Sequence, residues 1–170
     1  MRERRCTRGE VIFMLLYLVR HGEAKREEED PAQGLTQKGK ADVCRMAEFL
    51  HNINVSPSRI LHSNKTRARE TAVIFAGHLK PVHGITEAKD LAPLDDPGIW
   101  ANRIAGMNED VMLVGHLPFL ARLAGLLLCS EKEQPPIDFK PSGIICITRS
   151  DDRRWFLEWM IVPEIVGVKV

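Results

Sequence analysis

The chain has 170 residues, 44% of them apolar and 28% charged, a length and balance that suit one globular domain and exclude collagen-like, mucin-like and disordered classes. Lys plus Arg number 24 against 23 for Asp plus Glu, a formal net charge of +1, so no whole-molecule field draws the chain to nucleic acid or lipid and any anion site must be local. The four cysteines, Cys6, Cys44, Cys129 and Cys146, form no Cys-x-x-Cys pair and no zinc-finger spacing, and they read as reduced thiols, mostly in the core.

Basic Met1 to Arg8 followed by apolar Val11 to Val19 imitates a signal peptide, but no small-residue cleavage site follows. The apolar stretch is also well short of the roughly 20 residues that span a bilayer, so a soluble, cytoplasmic protein is expected. Residues 1–12 are expected to form a disordered extension, with Met14 an alternative start, and 13–170 the domain. The run Phe13 to Val19 is apolar on both faces, as in a central strand covered by helices on each side. Thr36 offers an N-cap, and Val43, Met46, Ala47, Leu50 and Ile53 repeat at helical spacing, which predicts a helix over 37–52. A strand at Arg59 to His62 precedes a second amphipathic helix marked by Ala68, Ala72, Phe75 and Leu79.

Residues 81–108 are expected to be irregular, because Pro93, Pro97 and Gly98 break any long helix. The segment is a candidate lid, with Trp100 either lining a pocket or anchoring the loop. Val111 to Val114 reads as a further buried strand, and Pro118 suits the first turn of a helix running to about Leu128. Ile144 to Thr148 and Trp155 to Ile161 flank a turn-like Ser150-Asp151-Asp152-Arg153, predicting an antiparallel hairpin. Trp155 and Trp159, four apart on that strand, should share one face. The class is α/β, a three-layer α/β/α sandwich with a mostly parallel central sheet.

Ligands of open α/β sheets collect beyond the carboxyl ends of the strands. Here those positions hold Arg20-His21-Gly22, His62-Ser63-Asn64 and Gly115-His116, so imidazole and guanidinium converge from three strands. Lys65, Arg67 and Arg69 crowd the start of the second helix, where the macrodipole disfavours cations by about 0.3–1 kcal/mol each. Free N–H groups joined to an inward Arg67 suit an anion, above all phosphate, whose oxygens match the guanidinium fork. A transition metal on His21, His62 and His116 is disfavoured, because the arginines repel a cation and no carboxylate or cysteine ligand stands beside the histidines.

The blocks Arg20-His21-Gly22-Glu23, Leu35-Thr36-x-x-Gly39, Ser63-x-x-x-Arg67-Ala68-x-x-Thr71-Ala72 and Val114-Gly115-His116 resemble, in order, spacing and strand context, those of the histidine phosphatase, or phosphoglycerate mutase-like, superfamily. Small size, Arg-His-Gly-Glu-Ala and Gly-His-Leu-Pro look most like the SixA-type phosphohistidine phosphatases. The resemblance implies a phosphoglycerate mutase-like fold. His21 would be the nucleophile that becomes a phosphohistidine, with Arg20, Arg67 and His116 around the phosphoryl group and neither metal nor cofactor required. Gly22 would let the backbone approach the phosphate, the N–H of Leu117 would add to the pocket, and Thr36 and Gly39 would be structural. Asp90 is the nearest match to the family's proton donor, with Glu87, Asp95 and Asp96 as other candidates. The implied partner is a phosphorylated protein, such as a histidine phosphotransfer domain, or else a small phosphate ester. A non-catalytic phosphate-binding module is the competing class.

Overall fold

Residues 14–129 and 137–167 are described by a computed structural model of the chain, and the expected extension at 1–12, with Cys6, lies outside them, as does Phe13. The elements are β1 (Met14–Arg20), α1 (Gln37–Asn52), β2 (Arg59–His62), α2 (Thr66–Leu79), β3 (Ile85–Glu87), α3 (Pro97–Ala105), β4 (Val111–Gly115), α4 (Phe119–Cys129), β5 (Ile144–Arg149) and β6 (Trp155–Ile161). The strands form one sheet in the order β3-β2-β4-β1-β5-β6. β1, β2, β3 and β4 pair in parallel, whereas β5 runs antiparallel to β1 and to β6.

Side chains alternate across the sheet and so divide the core into two halves. Leu16, Leu18, Leu113, Ile145 and Ile147 pack under α3 and α4 with Trp100, Ile104, Phe119 and Leu123. Tyr17, Val19, Met112, Val114 and Cys146 pack under α1 and α2 with Val43, Met46, Ala72 and Phe75. This is the expected three-layer sandwich, with β1 and β4 covered on both sides. Among the described residues no helix is long and apolar enough to cross a membrane.

The expected first helix begins at the expected cap. The Thr36 hydroxyl accepts the Gly39 N–H at 2.9 Å, and Val43, Met46, Ala47 and Leu50 are fully buried, so cap and apolar stripe agree on one helix. α4 starts at Phe119, one residue after Pro118.

Three expectations need correction. Residues 81–108 are not simply irregular, since they hold β3 and α3. Pro97 begins α3 rather than breaking it, with Asp96 as N-cap accepting the Gly98 N–H at 2.9 Å; a missing N–H costs nothing in a first turn. Trp100 anchors this segment, being almost wholly buried while its indole N–H donates to the Lys89 carbonyl at 3.1 Å. Secondly, Trp155 and Trp159 do not share a face. The register shifts between Cys146 and Ile147, so that Ile147 opposes Leu157 while Cys146 opposes Trp159. The extra residue in β6 reverses the alternation. Trp155 therefore packs on the α3/α4 side and Trp159 on the α1/α2 side. Thirdly, Cys146 is buried but Cys44 and Cys129 are exposed, because Cys44 lies off the apolar stripe of α1 and Cys129 ends α4.

Candidate active site

β1 ends on Arg20, and His21 follows it directly. The backbone here is clamped from both sides: His21 N–H donates to Gly115 O of β4 at 3.1 Å, Arg20 N–H to Gly143 O at 3.1 Å, and Ser142 N–H to His21 O at 3.2 Å. The His21 ring cannot drift along the sheet. Its Nδ1–H donates to the Gly22 carbonyl at 2.7 Å, which leaves the lone pair on Nε2. Arg67 Nε–H, from the first turn of α2, points at that nitrogen from 3.2 Å.

His116 follows β4, and its ring centroid lies 4.8 Å from that of His21. The Ser63 hydroxyl, one residue beyond β2, meets His116 Nε2 at 2.5 Å, while His116 Nδ1 is buried with no hydrogen-bond partner among the described residues. Arg20 donates through Nη1 to the Phe139 carbonyl at 2.6 Å. Of the expected residues, the structure thus brings His21, Arg67 and His116 into contact or near-contact. Arg20 is close enough for its charge to depress both histidines.

The electrostatics follow from crowding cations where water is scarce. Burial pushes His21 down from 6.5 to about 4, against its bond to the Gly22 carbonyl and with help from Arg67 and Arg20. Burial, then His21, Arg67, Lys65 and Arg20, push His116 down to about 3. Both imidazoles are neutral at pH 7. Burial also lowers Arg67 and Arg20, with Asp138 opposing the shift at Arg20, and both remain cations.

The remaining expected residues have other surroundings. Gly22 gives its N–H to the Thr71 hydroxyl at 3.1 Å. A Cβ there would meet Val43 at 2.8 Å and the Gly39 carbonyl at 3.1 Å, so packing against α1 already requires glycine. Leu117 lies in the turn between β4 and α4, its side chain against the α3/α4 half of the core. Asp90, in the left-handed region at φ 62, is ion-paired to Arg103 of α3 at 2.5 Å. Asp95 accepts the Ala92 N–H at 2.6 Å, Asp96 caps α3, and Glu87 is exposed at the end of β3. Lys65 and Arg69 are exposed. His62 bonds through Nδ1 to the Ser63 carbonyl at 2.8 Å, apart from the histidine pair. No group of three or more His, Cys, Asp or Glu that could hold a metal ion is found among the described residues.

Five contributors had no expected role. Ser63 stands inside a recognised block, and its place at a strand end was the available signal. Gln33 accepts from Arg67 Nη1 at 2.6 Å. Thr71 donates to the Arg67 carbonyl at 2.7 Å while holding Gly22, tying the helix to the β1 end. Phe139 and Ser142 precede β5; because β5 is antiparallel, its amino end lies where the parallel strands have their carboxyl ends.

An uncharacterized protein of Picosynechococcus sp. is 32% identical over 140 residues, covering 78% of this chain and 83% of the relative. A solved structure of the protein histidine phosphatase SixA complexed with tungstate is 25% identical, covers 88% of this chain and 97% of that one, and has a TM-score of 0.79. A mycobacterial glucosyl-3-phosphoglycerate phosphatase in complex with VO3 shares the fold at 16% identity, covering 86% of this chain and 98% of that one with a TM-score of 0.68. The model of the histidine phosphatase superfamily (branch 1) matches residues 16–103, more than half of the chain, and with it the strand and helix that aim His21 and Arg67 at each other. This chain belongs to that superfamily.

Proposed function

We propose that the chain is a metal-independent phosphatase that works through a phosphohistidine on His21, its substrate a phosphohistidine on a cytoplasmic phosphotransfer protein. The observation that carries this reading is the lone pair of His21 Nε2, left on that nitrogen by the Nδ1–H bond to Gly22 and accepting the Arg67 Nε–H at 3.2 Å. A neutral imidazole among cations and N–H donors suits attack on phosphorus, because the charge on the transferring PO₃ group is met by groups already in place. As the substrate enters, a phosphoryl oxygen would take the Arg67 Nε–H in place of the nitrogen, with the guanidinium keeping its orientation. Arg20 and His116 would take the other equatorial oxygens, and a bound dianion would favour the protonated form of His116.

In the first step the Nε2–P bond forms and the bond from phosphorus to the leaving atom breaks, its electron pair going to that atom. Water then attacks phosphorus, the Nε2–P bond breaks, and inorganic phosphate leaves with His21 restored. An alkoxide must be protonated as it departs, whereas a phosphoramidate nitrogen leaves readily once protonated. With Asp90 engaged by Arg103 and Asp95 and Asp96 by backbone amides, Glu87 alone of the four candidate acids has no such partner among the described residues; this scarcity of acids favours the nitrogen leaving group, as does the likeness to SixA. A small phosphate ester is the second reading, supported by the fold shared with the sugar-phosphate enzyme.

Mass spectrometry of the chain quenched at alkaline pH after mixing with a phosphorylated phosphotransfer domain should find one phosphoryl group on His21 and none in His21→Ala. Phosphate binding without label would instead indicate a non-catalytic module. Faster turnover of a sugar-phosphate panel than of the phosphoprotein would select the ester reading.

A further inference from the structure

Gln33 occupies a backbone conformation that a residue with a Cβ takes up only when it is held there. Its φ is 48, in the left-handed region where a Cβ crowds the following carbonyl oxygen, and such a position persists only when its surroundings hold it. Here they do. Gln33 N–H donates to the Asp30 carbonyl at 2.8 Å and Lys25 N–H to the Gly34 carbonyl at 2.9 Å. The Asp30 carboxylate takes the Ala32 and Gly34 amides at 3.0 and 3.2 Å, and Glu70 of α2 takes the Leu35 amide at 2.7 Å. The outcome of all these bonds is a side-chain carbonyl delivered 2.6 Å from Arg67 Nη1, while Arg67 Nε faces His21.

The charge types matter as much as the distance. The two carboxylates beside Gly34, Asp30 and Glu70, are turned onto backbone N–H groups, and Asp30 also lies 3.6 Å from Lys25 Nζ. Among the described residues Arg67 forms no ion pair, and the side chains it touches, Gln33 and His21, are neutral. Arg20 is also held by a carbonyl, that of Phe139, although there the Asp138 carboxylate acts on its charge as well. A carboxylate in place of the amide would orient the guanidinium equally well, but it would cancel the charge that an incoming phosphoryl group must meet.

We infer that Gln33 is a positioning residue whose neutral oxygen fixes the orientation of Arg67 while leaving its positive charge undiminished for the substrate; the inference rests on the phosphoryl chemistry proposed above.

Two variants of the full chain separate orientation from charge. Gln33→Leu removes the acceptor and keeps the charge, so kcat with phosphoramidate should fall about tenfold, the scale of one hydrogen bond to an ion, with a smaller change in the affinity for inorganic phosphate. Gln33→Glu keeps an acceptor and pairs the charge, so phosphate affinity measured by calorimetry should fall by about tenfold or more, and further than in the leucine variant. A loop with only a structural role would move both variants together and lower both melting temperatures. Equal phosphate affinity in the two variants, or wild-type kcat in Gln33→Leu, would overturn the inference while phosphate binding by the wild type stands. Failure of the wild type to bind phosphate at all would overturn the phosphoryl reading and this inference with it.

Discussion

Arg67 is asked to do two things with one planar group: Nε faces the His21 lone pair at 3.2 Å and Nη1 meets Gln33 at 2.6 Å. A lysine has one point of charge and no fork. Arg67→Lys should therefore lower kcat/KM by roughly tenfold to a hundredfold although net charge is unchanged, a loss of about 1.4–2.8 kcal/mol in transition-state binding. Steady-state kinetics on a phosphoramidate would check it. Arg20, His21, Arg67 and His116 are legible in the sequence because each ends or follows a strand or opens a helix in a recognisable block. Gln33 is not, since a positive φ and a contact over 34 positions of sequence leave no periodic trace.

At the scale of elements, the site depends on how closely α1 approaches the end of β1. A Cβ on Gly39 would sit 2.2 Å from the Glu23 carbonyl oxygen, with Glu23 C and N at 3.0 Å, and backbone cannot yield as a side chain does. Gly39→Ala should cost about 1–3 kcal/mol and slow turnover as well, because α1 must retreat from the segment that carries His21. Gly77, exposed within α2 with nothing within 4 Å of an added Cβ, is the control, where alanine should stabilise by about 0.5–1 kcal/mol. Urea unfolding of the pair measures both. The long helices announce themselves through caps and stripes at 3.6-residue spacing, as Thr36 and Val43 do. β3 and α3 escape notice because a three-residue edge strand has no usable alternation. A proline at the first turn of a helix also reads like a proline that ends one.

For the whole molecule, catalytic apparatus and folding stability are linked through protons. His21 and His116 titrate near about 4 and 3 in the fold against an ordinary 6.5, so between those values the unfolded chain binds more protons. Their contribution to stability is present above pH 6.5 and is lost as pH falls toward about 4 for His21 and about 3 for His116. Melting temperatures should accordingly drop across that window. The slope should be shallower in His21→Ala, and shallower again with saturating phosphate, which stabilises the protonated rings. The carboxyl-end rule for parallel strands finds most of this site. It misses Phe139 and Ser142 because the same end of an antiparallel strand is its beginning.

The displaced register of β6 gives the molecule a pair of optical reporters without any labelling. Trp159 sits against Tyr17, ring centroids 6.0 Å apart, over the α1/α2 layer, while Trp155 lies under the Arg149 guanidinium on the opposite layer. Replacing Trp159 by phenylalanine would leave the emission of Trp155 and Trp100, both on the α3/α4 side, so loosening of the layer that carries Arg67, read from the difference, could be followed separately from loosening of the layer beneath α3.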